Sequence, residues 1–208
     1  MNTNAKWIKA VDGISELCPE FRRSYKAKKT IASAEACVTA LGMYNLYING
    51  KKVGDYLFAP GYTSYAARVQ LQRYDITEYL KEENEIAILT AKGWCYSAIG
   101  TPPRPRKDTS EISVLASFKI TYTDGEVEYV CTDESWDVWS SRLLFSEHYD
   151  GEIIDPTAKT EKLGAAILSP ENKPSVVEQV GEYVREKERV LPSKLIITPK
   201  GERVIDFG

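Results

Sequence analysis

The sequence predicts an all-β fold: an antiparallel β-sandwich of jelly-roll type, followed by a truncated second β domain. Three observations carry this. Short runs of alternating apolar and polar residues recur roughly every 8–12 residues, bounded by Gly, Pro, Asn and Asp. Two pairs of such runs meet at Asn49-Gly50 and at Asp124-Gly125, dipeptides that supply the positive φ angles of a two-residue hairpin turn. Helical periodicity is scarce. A chain of 208 residues, 43% of them hydrophobic, fills one large sandwich core with some length to spare. The expected division is 1–20 as an N-terminal strand and linker, 21–160 as the sandwich, and 161–208 as a linker with the first strands of the next β domain.

Taken in order, "WIKAVD" is a strand expected to pack on the later segment rather than in the sandwich. "EACVTALG" sets Ala36, Val38 and Ala40 against Cys37 and Thr39. "MYNLYING" puts Tyr44, Leu46 and Ile48 on one face, turns at Asn49-Gly50 and returns as "KKVGD". In "VQLQRYDI", Val69, Leu71 and Arg73 oppose Gln70, Gln72 and Tyr74. "EIAILTA" is a buried-strand candidate. "EISVLASFKITYTDGEVEYVCTD" predicts a strand of about ten residues, the Asp124-Gly125 turn, and a strand of about six. Only "DITEYLKEEN", with Thr77 as N-cap, and "TAKTEKLGAAIL" suggest short helices. Beyond Asp155-Pro156, Pro170, Pro174, Pro192 and Pro199 separate Val/Ile-rich pieces. The chain stops on the strand-like "VIDFG", so a piece of a longer polypeptide is expected.

Composition narrows the function. A net charge of −3 and a pI near 5.4 argue against capture of nucleic acid or of an anionic membrane. The basic run Arg104, Arg106 and Lys107 is interleaved with Pro102, Pro103 and Pro105 and is expected to be a solvated loop. No apolar stretch is long enough to span a membrane, and "MNTNAKWIKA" has no leader-like apolar region. Cys18, Cys37, Cys95 and Cys131 form no C-x-x-C pair, and His148 is the single histidine. A Cys/His zinc site is therefore poorly supported. Buried reduced thiols in a cytoplasmic protein are the expectation.

No nucleophile elbow and no Gly-rich nucleotide cradle is present. Carboxylates cluster in "SEHYDGEIIDP" as Glu147, Asp150, Glu152 and Asp155. They are open to three readings: a solvated loop turning at Asp150-Gly151, oxygen ligands for a sugar or for Ca²⁺, or a carboxylate pair for glycoside hydrolysis. Aromatic residues are the other feature. Tyr62 and Tyr65 lie in "APGYTSYAARV", Trp94 and Tyr96 in "KGWCYSAIG", Trp136 and Trp139 in "DESWDVWSS". A flat ring stacks on the apolar face of a sugar. Trp139, inside an alternating run, is assigned to the core; Trp94, after Gly93 at a strand end, is the better binding residue.

Together these segments resemble one family. "ALGMYNLYINGKKVGDYLFAPGYTSYAARVQLQRYDITEYLKEENEIAI" is similar to the N-terminal domain of bacterial α-L-rhamnosidases, with its N-G-x-x-V-G hairpin, A-P-G-(W/Y)-T-x-Y loop and Y-D-(I/V)-T strand end. "KGW" resembles the family's G-(D/N)-G-W, "SEHYDGEIIDP" its S-E-x-Y-D-G-E-x-Y-D, and "VIDFG" the start of its next β domain. Lys92 stands where that pattern has Asp or Asn, and His148 and Ile154 replace an aliphatic residue and a Tyr. The resemblance implies a galactose-binding-like jelly roll. It also implies a parent enzyme that cleaves terminal α-L-rhamnose with inversion, its carboxylates on an (α/α)6 barrel downstream. No activity is expected of the 208 residues themselves. The implied role is carbohydrate recognition; the alternatives are a structural spacer on the downstream barrel, or the sugar-binding domain of another glycoside hydrolase. The expected partners are a rhamnose-containing oligosaccharide or glycoside and that barrel. The expected sugar site joins Lys92 and Trp94 to the Tyr149–Glu152 loop, through Asp150 and Glu152. Those two carboxylates would also hold Ca²⁺, if a cation serves the site; no other cofactor is expected.

Overall fold

The structure, a computed structural model, describes residues 1–11, 18–96, 112–148, 150–170 and 173–208. The basic run at Arg104, Arg106 and Lys107, and Tyr149, lie outside the described residues. In chain order the strands are β1 (Ile8–Lys9), β2 (Glu20–Lys26), β3 (Ile31–Leu41), β4 (Met43–Ile48), β5 (Lys51–Lys52), β6 (Arg68–Asp75), β7 (Glu83–Ala91), β8 (Ser113–Tyr122) and β9 (Val127–Cys131). They continue as β10 (Asp137–Trp139), β11 (Leu143–Glu147), β12 (Gly151–Ile154), β13 (Lys162–Ala165), β14 (Ile167–Leu168), β15 (Ser175–Glu178), β16 (Lys194–Ile197) and β17 (Arg203–Asp206). One helical turn, α1 (Gly93–Tyr96), follows β7.

Two sheets make the sandwich. The first runs β14-β1-β8-β3-β6-β15, with β9 also on β8; the second runs β13-β10-β2-β7-β4-β5. From β2 to β8 each successive long strand crosses to the opposite sheet, the connectivity of a jelly roll. The inner faces bring Ala36, Val38, Phe118 and Ile120 of the first sheet against Phe21, Leu46, Ile86 and Ile88 of the second, all buried. Burying a side chain of this size stabilises by about 1.5–3 kcal/mol. Along β6, Gln72 and Tyr74 face this core, while Val69 on the other face joins a smaller cluster with Leu41 and Cys95. Tyr44 Oη donates to Gln72 Oε1 (2.9 Å) and lies 3.0 Å from Tyr74 Oη, so the buried polar groups satisfy one another.

Both expected hairpins form. Asn49 and Gly50 take φ of 53° and 75° between β4 and β5, and β8 with β9 flanks Asp124-Gly125 at ten and five residues. Other expectations need correction. Thr77 is the first residue of a 3-10 turn (Thr77–Tyr79), not its cap. Asp75 plays the capping part, its Oδ1 accepting from the Thr77 N–H (2.9 Å) and hydroxyl (2.6 Å), because a short carboxylate reaches the backbone two residues on. "TAKTEKLGAAIL" is not helical: it supplies β13 and β14, edge strands on β10 and β1, where ladder bonds and the burial of Ala166 outweigh propensity. Trp136, not Trp139, is the core tryptophan. It shares inward parity with Val138, stacks on Phe118 at 6.1 Å and donates its indole N–H to the Cys131 carbonyl (2.8 Å). Trp139 is half-buried on the outer face, 4.6 Å below the Arg22 guanidinium.

The "WIKAVD" strand lies in the sandwich itself: β1 is held between β8 and β14. Beyond residue 160, β13 and β14 extend both sheets, and β15 adds to β6 in parallel. β16 and β17 form a separate two-stranded ribbon whose β16 side chains are all exposed. Cys18, Cys37 and Cys95 are buried cysteines, and Cys131 is half-buried.

Candidate functional site

Three separate segments converge at one end of the sandwich. After β7 the chain must turn sharply against the start of β4. Gly93 does this at φ +52°, where a Cβ would lie 2.1 Å from Met43 Cγ and 2.8 Å from the Met43 backbone nitrogen. Only glycine fits there, and the single turn it opens carries the half-buried Trp94. The loop between β5 and β6 supplies the second wall. Its Ala59 carbonyl accepts from the Tyr44 N–H (2.9 Å), anchoring it to β4. Phe58 takes φ +57°, a conformation rare for an aromatic residue, and is 45% exposed; Tyr62 is 68% exposed. The third segment is the β11–β12 hairpin, closed at Glu147 and Gly151, where the Asp150 N–H donates to Glu147 Oε2 (3.2 Å). It carries His148.

Four rings meet where these segments join. The Trp94 and His148 centroids are 3.8 Å apart, with planes inclined by 35°. Phe58 lies 5.5 Å from His148 and presents an edge to Trp94 at 6.3 Å. Tyr62 presents its edge to Trp94 at 5.9 Å. His148 Nε2 is buried, with no hydrogen-bond partner among the described residues. Burial holds the imidazole below its usual pKa, against a smaller opposing effect of Glu147.

The expected site residues divide into two groups. Trp94 touches the hairpin through His148, and among the described residues no ring contact or hydrogen bond joins it to Asp150, Glu152 or Lys92. The other three lie along the hairpin flank. The Lys92 ammonium sits 5.9 Å from the centre of the Phe145 ring. Exposed Glu152 accepts from Ser146 Oγ (3.2 Å), and Asp150 is exposed at the turn. Lys92 and Glu152 both act on the Cys18 thiol, which burial pushes up to about 11, Glu152 adding to the rise and Lys92 opposing it. Among the described residues no three His, Cys, Asp or Glu side chains gather as metal ligands. Asp150 and Glu152 supply two carboxylates toward the six to eight oxygens that Ca²⁺ takes.

Phe58 and His148 are the members that sequence reasoning passed over. Phe58 precedes the Ala-Pro-Gly loop and carries no motif of its own. His148 has no cysteine partner in the sequence to mark it as a ligand, although its place where the family pattern has an aliphatic residue is a usable signal.

Residues 29–189 match the family model described as the alpha-L-rhamnosidase N-terminal domain. The chain belongs to this family. It is 30% identical over 208 aligned positions to an alpha-L-rhamnosidase of Streptomyces avermitilis, covering 93% of this chain and 20% of that protein. It is 31% identical over 169 positions to an alpha-L-rhamnosidase of Alteromonas sp. (strain LOR), covering 76% of this chain and 18% of the relative. The fold superimposes on the native α-L-rhamnosidase of Aspergillus terreus with a TM-score of 0.88 at 26% identity, over 99% of this chain and 26% of that one. On the Streptomyces avermitilis α-L-rhamnosidase complexed with L-rhamnose the TM-score is 0.76 at 26% identity, over 86% and 19%. This rhamnosidase N-terminal domain thus spans about a fifth of the length of the curated relatives it matches.

Proposed function

We propose that the chain is the non-catalytic N-terminal sandwich of an enzyme that hydrolyses terminal α-L-rhamnose, and that its aromatic end recognises rhamnose-containing glycans. The observation that carries the reading is the meeting of Phe58, Tyr62, Trp94 and His148, from three distant segments, at one partly exposed surface. An exposed ring offers an apolar face to the sugar, while Lys92, Asp150 and Glu152 on the neighbouring flank bond its hydroxyls. Each such bond replaces one to water at a net gain of about 0.5–1.5 kcal/mol, so three or four of them give an affinity in the millimolar range. The fold similarity to a rhamnosidase complexed with L-rhamnose supports the choice of sugar. Hydrolysis is assigned to the rest of the parent protein, so the 208 residues alone leave an aryl α-L-rhamnoside uncleaved.

A second reading rests on a different surface. The β11–β12 hairpin exposes Leu144, Ile153 and Ile154, apolar side chains available for packing on the downstream barrel. Titration with L-rhamnose, followed by Trp fluorescence and amide NMR, separates the two. Recognition requires millimolar L-rhamnose to perturb the wild type and to lose that effect in Trp94→Ala. Indistinguishable responses from the two proteins leave the docking reading in its place.

A further inference from the structure

The aromatic end continues past Trp94. Tyr62 also lines a cleft of about 600 Å³ between residues 56–64 and residues 179–184. Its walls are fastened together. The Leu57 N–H donates to the Val184 carbonyl (2.9 Å), Gln72 Nε2 to Gln179 Oε1 (2.6 Å), and Arg185 pairs with Asp55 through Nε (2.9 Å). The cleft is therefore built by the fold, and its volume falls within the roughly 300–1,000 Å³ typical of small-ligand sites.

Its lining is specific in chemistry. Tyr62 contributes an exposed ring and Ser64 a hydroxyl. Gln70 uses its Nε2 to hold the Tyr62 carbonyl (3.3 Å), leaving Oε1 with no partner among the described residues. Arg68 uses Nε to hold Thr63 Oγ1 (3.1 Å), and its terminal nitrogens make no ion pair among the described residues. Glu182, on the opposite wall, balances the guanidinium charge. A ring, an amide oxygen, a hydroxyl and a guanidinium around a charge-balanced space match the hydroxyls of a neutral polyhydroxylated ligand, and Leu57, Val180 and Val184 offer apolar surface to its carbon face. Tyr62 belongs both to this cleft and to the ring cluster of Trp94.

We infer that the cleft is a second sugar subsite contiguous with the first, and that the ligand is an oligosaccharide of at least two units. One unit lies on the Trp94 side of Tyr62; the next enters the cleft, its hydroxyls bonded by Arg68 and Gln70. This rests on the proposed recognition of rhamnose-containing glycans. The test is a pair of NMR titrations of the 208-residue chain, with L-rhamnose and with an α-linked L-rhamnose disaccharide, on wild type and Arg68→Ala. Arg68 is exposed, so its removal spares the core. The disaccharide is expected to bind about tenfold more tightly than L-rhamnose and to shift the amides of residues 179–184, which L-rhamnose leaves in place. Arg68→Ala is expected to abolish the tenfold difference while leaving the affinity for L-rhamnose unchanged. Equal affinities for the two sugars in wild type, or a disaccharide affinity untouched by Arg68→Ala, overturn the subsite while recognition at Trp94 stands. Binding of neither sugar overturns recognition itself, and the subsite with it.

Discussion

The Tyr56 and Tyr183 rings lie parallel, with centroids 3.8 Å apart and planes 2° apart, and the Arg185 guanidinium caps both at 4.7 and 5.2 Å. This stack, with the Leu57–Val184 backbone bond beside it, fastens the segment after β15 to the loop after β5. An aromatic pair is worth about 0.5–1.5 kcal/mol beyond area burial, enough to bias a local opening but not global unfolding. Tyr183→Ala is expected to speed hydrogen exchange at the Leu57 amide about tenfold, with slower-exchanging core amides unchanged. Unaltered protection at Leu57 shows that the stack does not hold the segment.

Gly93→Ala places a methyl group inside the van der Waals envelope of Met43, at a φ that L-residues avoid. Overpacking costs about 1–3 kcal/mol and the left-handed backbone about 1–2 kcal/mol. A loss of at least about 2 kcal/mol in urea unfolding is expected, with a shift in the Trp94 contribution to the fluorescence. A loss below about 0.5 kcal/mol contradicts the tight approach to β4.

His148 makes stability depend on pH. Its folded pKa is lowered from 6.5 by burial, so the unfolded chain binds more protons as pH falls through and below 6.5. Stability is thus fully present above that value and declines as pH drops toward the folded pKa. The lowered carboxylates, among them Asp75 and Glu178, start from 3.8 and 4.5 and lose their contributions at more acidic pH. The urea midpoint is expected to fall between about pH 7.5 and 5.5, and the fall to vanish in His148→Phe. The same slope in the variant assigns it elsewhere.

Tyr44→Phe removes the hydroxyl that joins Gln72 Oε1, Tyr74 and the Val38 carbonyl (3.2 Å) inside the core. Leaving buried groups unpaired costs about 1–3 kcal/mol. The variant is expected to lose that amount at unchanged denaturant m-value, whereas a neutral result implies that water replaces the hydroxyl.

Local chemistry in the sequence was enough for the Asn49-Gly50 and Asp124-Gly125 hairpins, for the two faces of β6 and for the family motifs, because turn geometry and period-two burial act within a few residues. It was not enough where distant partners decide. Trp136 and Trp139 are three residues apart, and only the parity set by pairing of β10 with β2 tells which points inward. "TAKTEKLGAAIL" has the composition of a helix, but the open edges of β10 and β1 claim it. Trp94 was visible as an aromatic at a strand end, whereas His148 and Phe58 become its neighbours only through convergence of three loops.

The crossing of successive strands between the sheets sets a schedule for synthesis. Ile8 rests between Val114 and Leu168, and Phe21 between Ile88 and Val138. A chain emerging from the ribosome therefore offers β1 and β2 no neighbours until scores of later residues are free, and long-range pairing of this kind is slow. Until then the earliest apolar strands stand open to other nascent chains and to chaperones. Yield in the cell should respond to translation speed and chaperone supply more sharply than the melting temperature of the finished domain suggests.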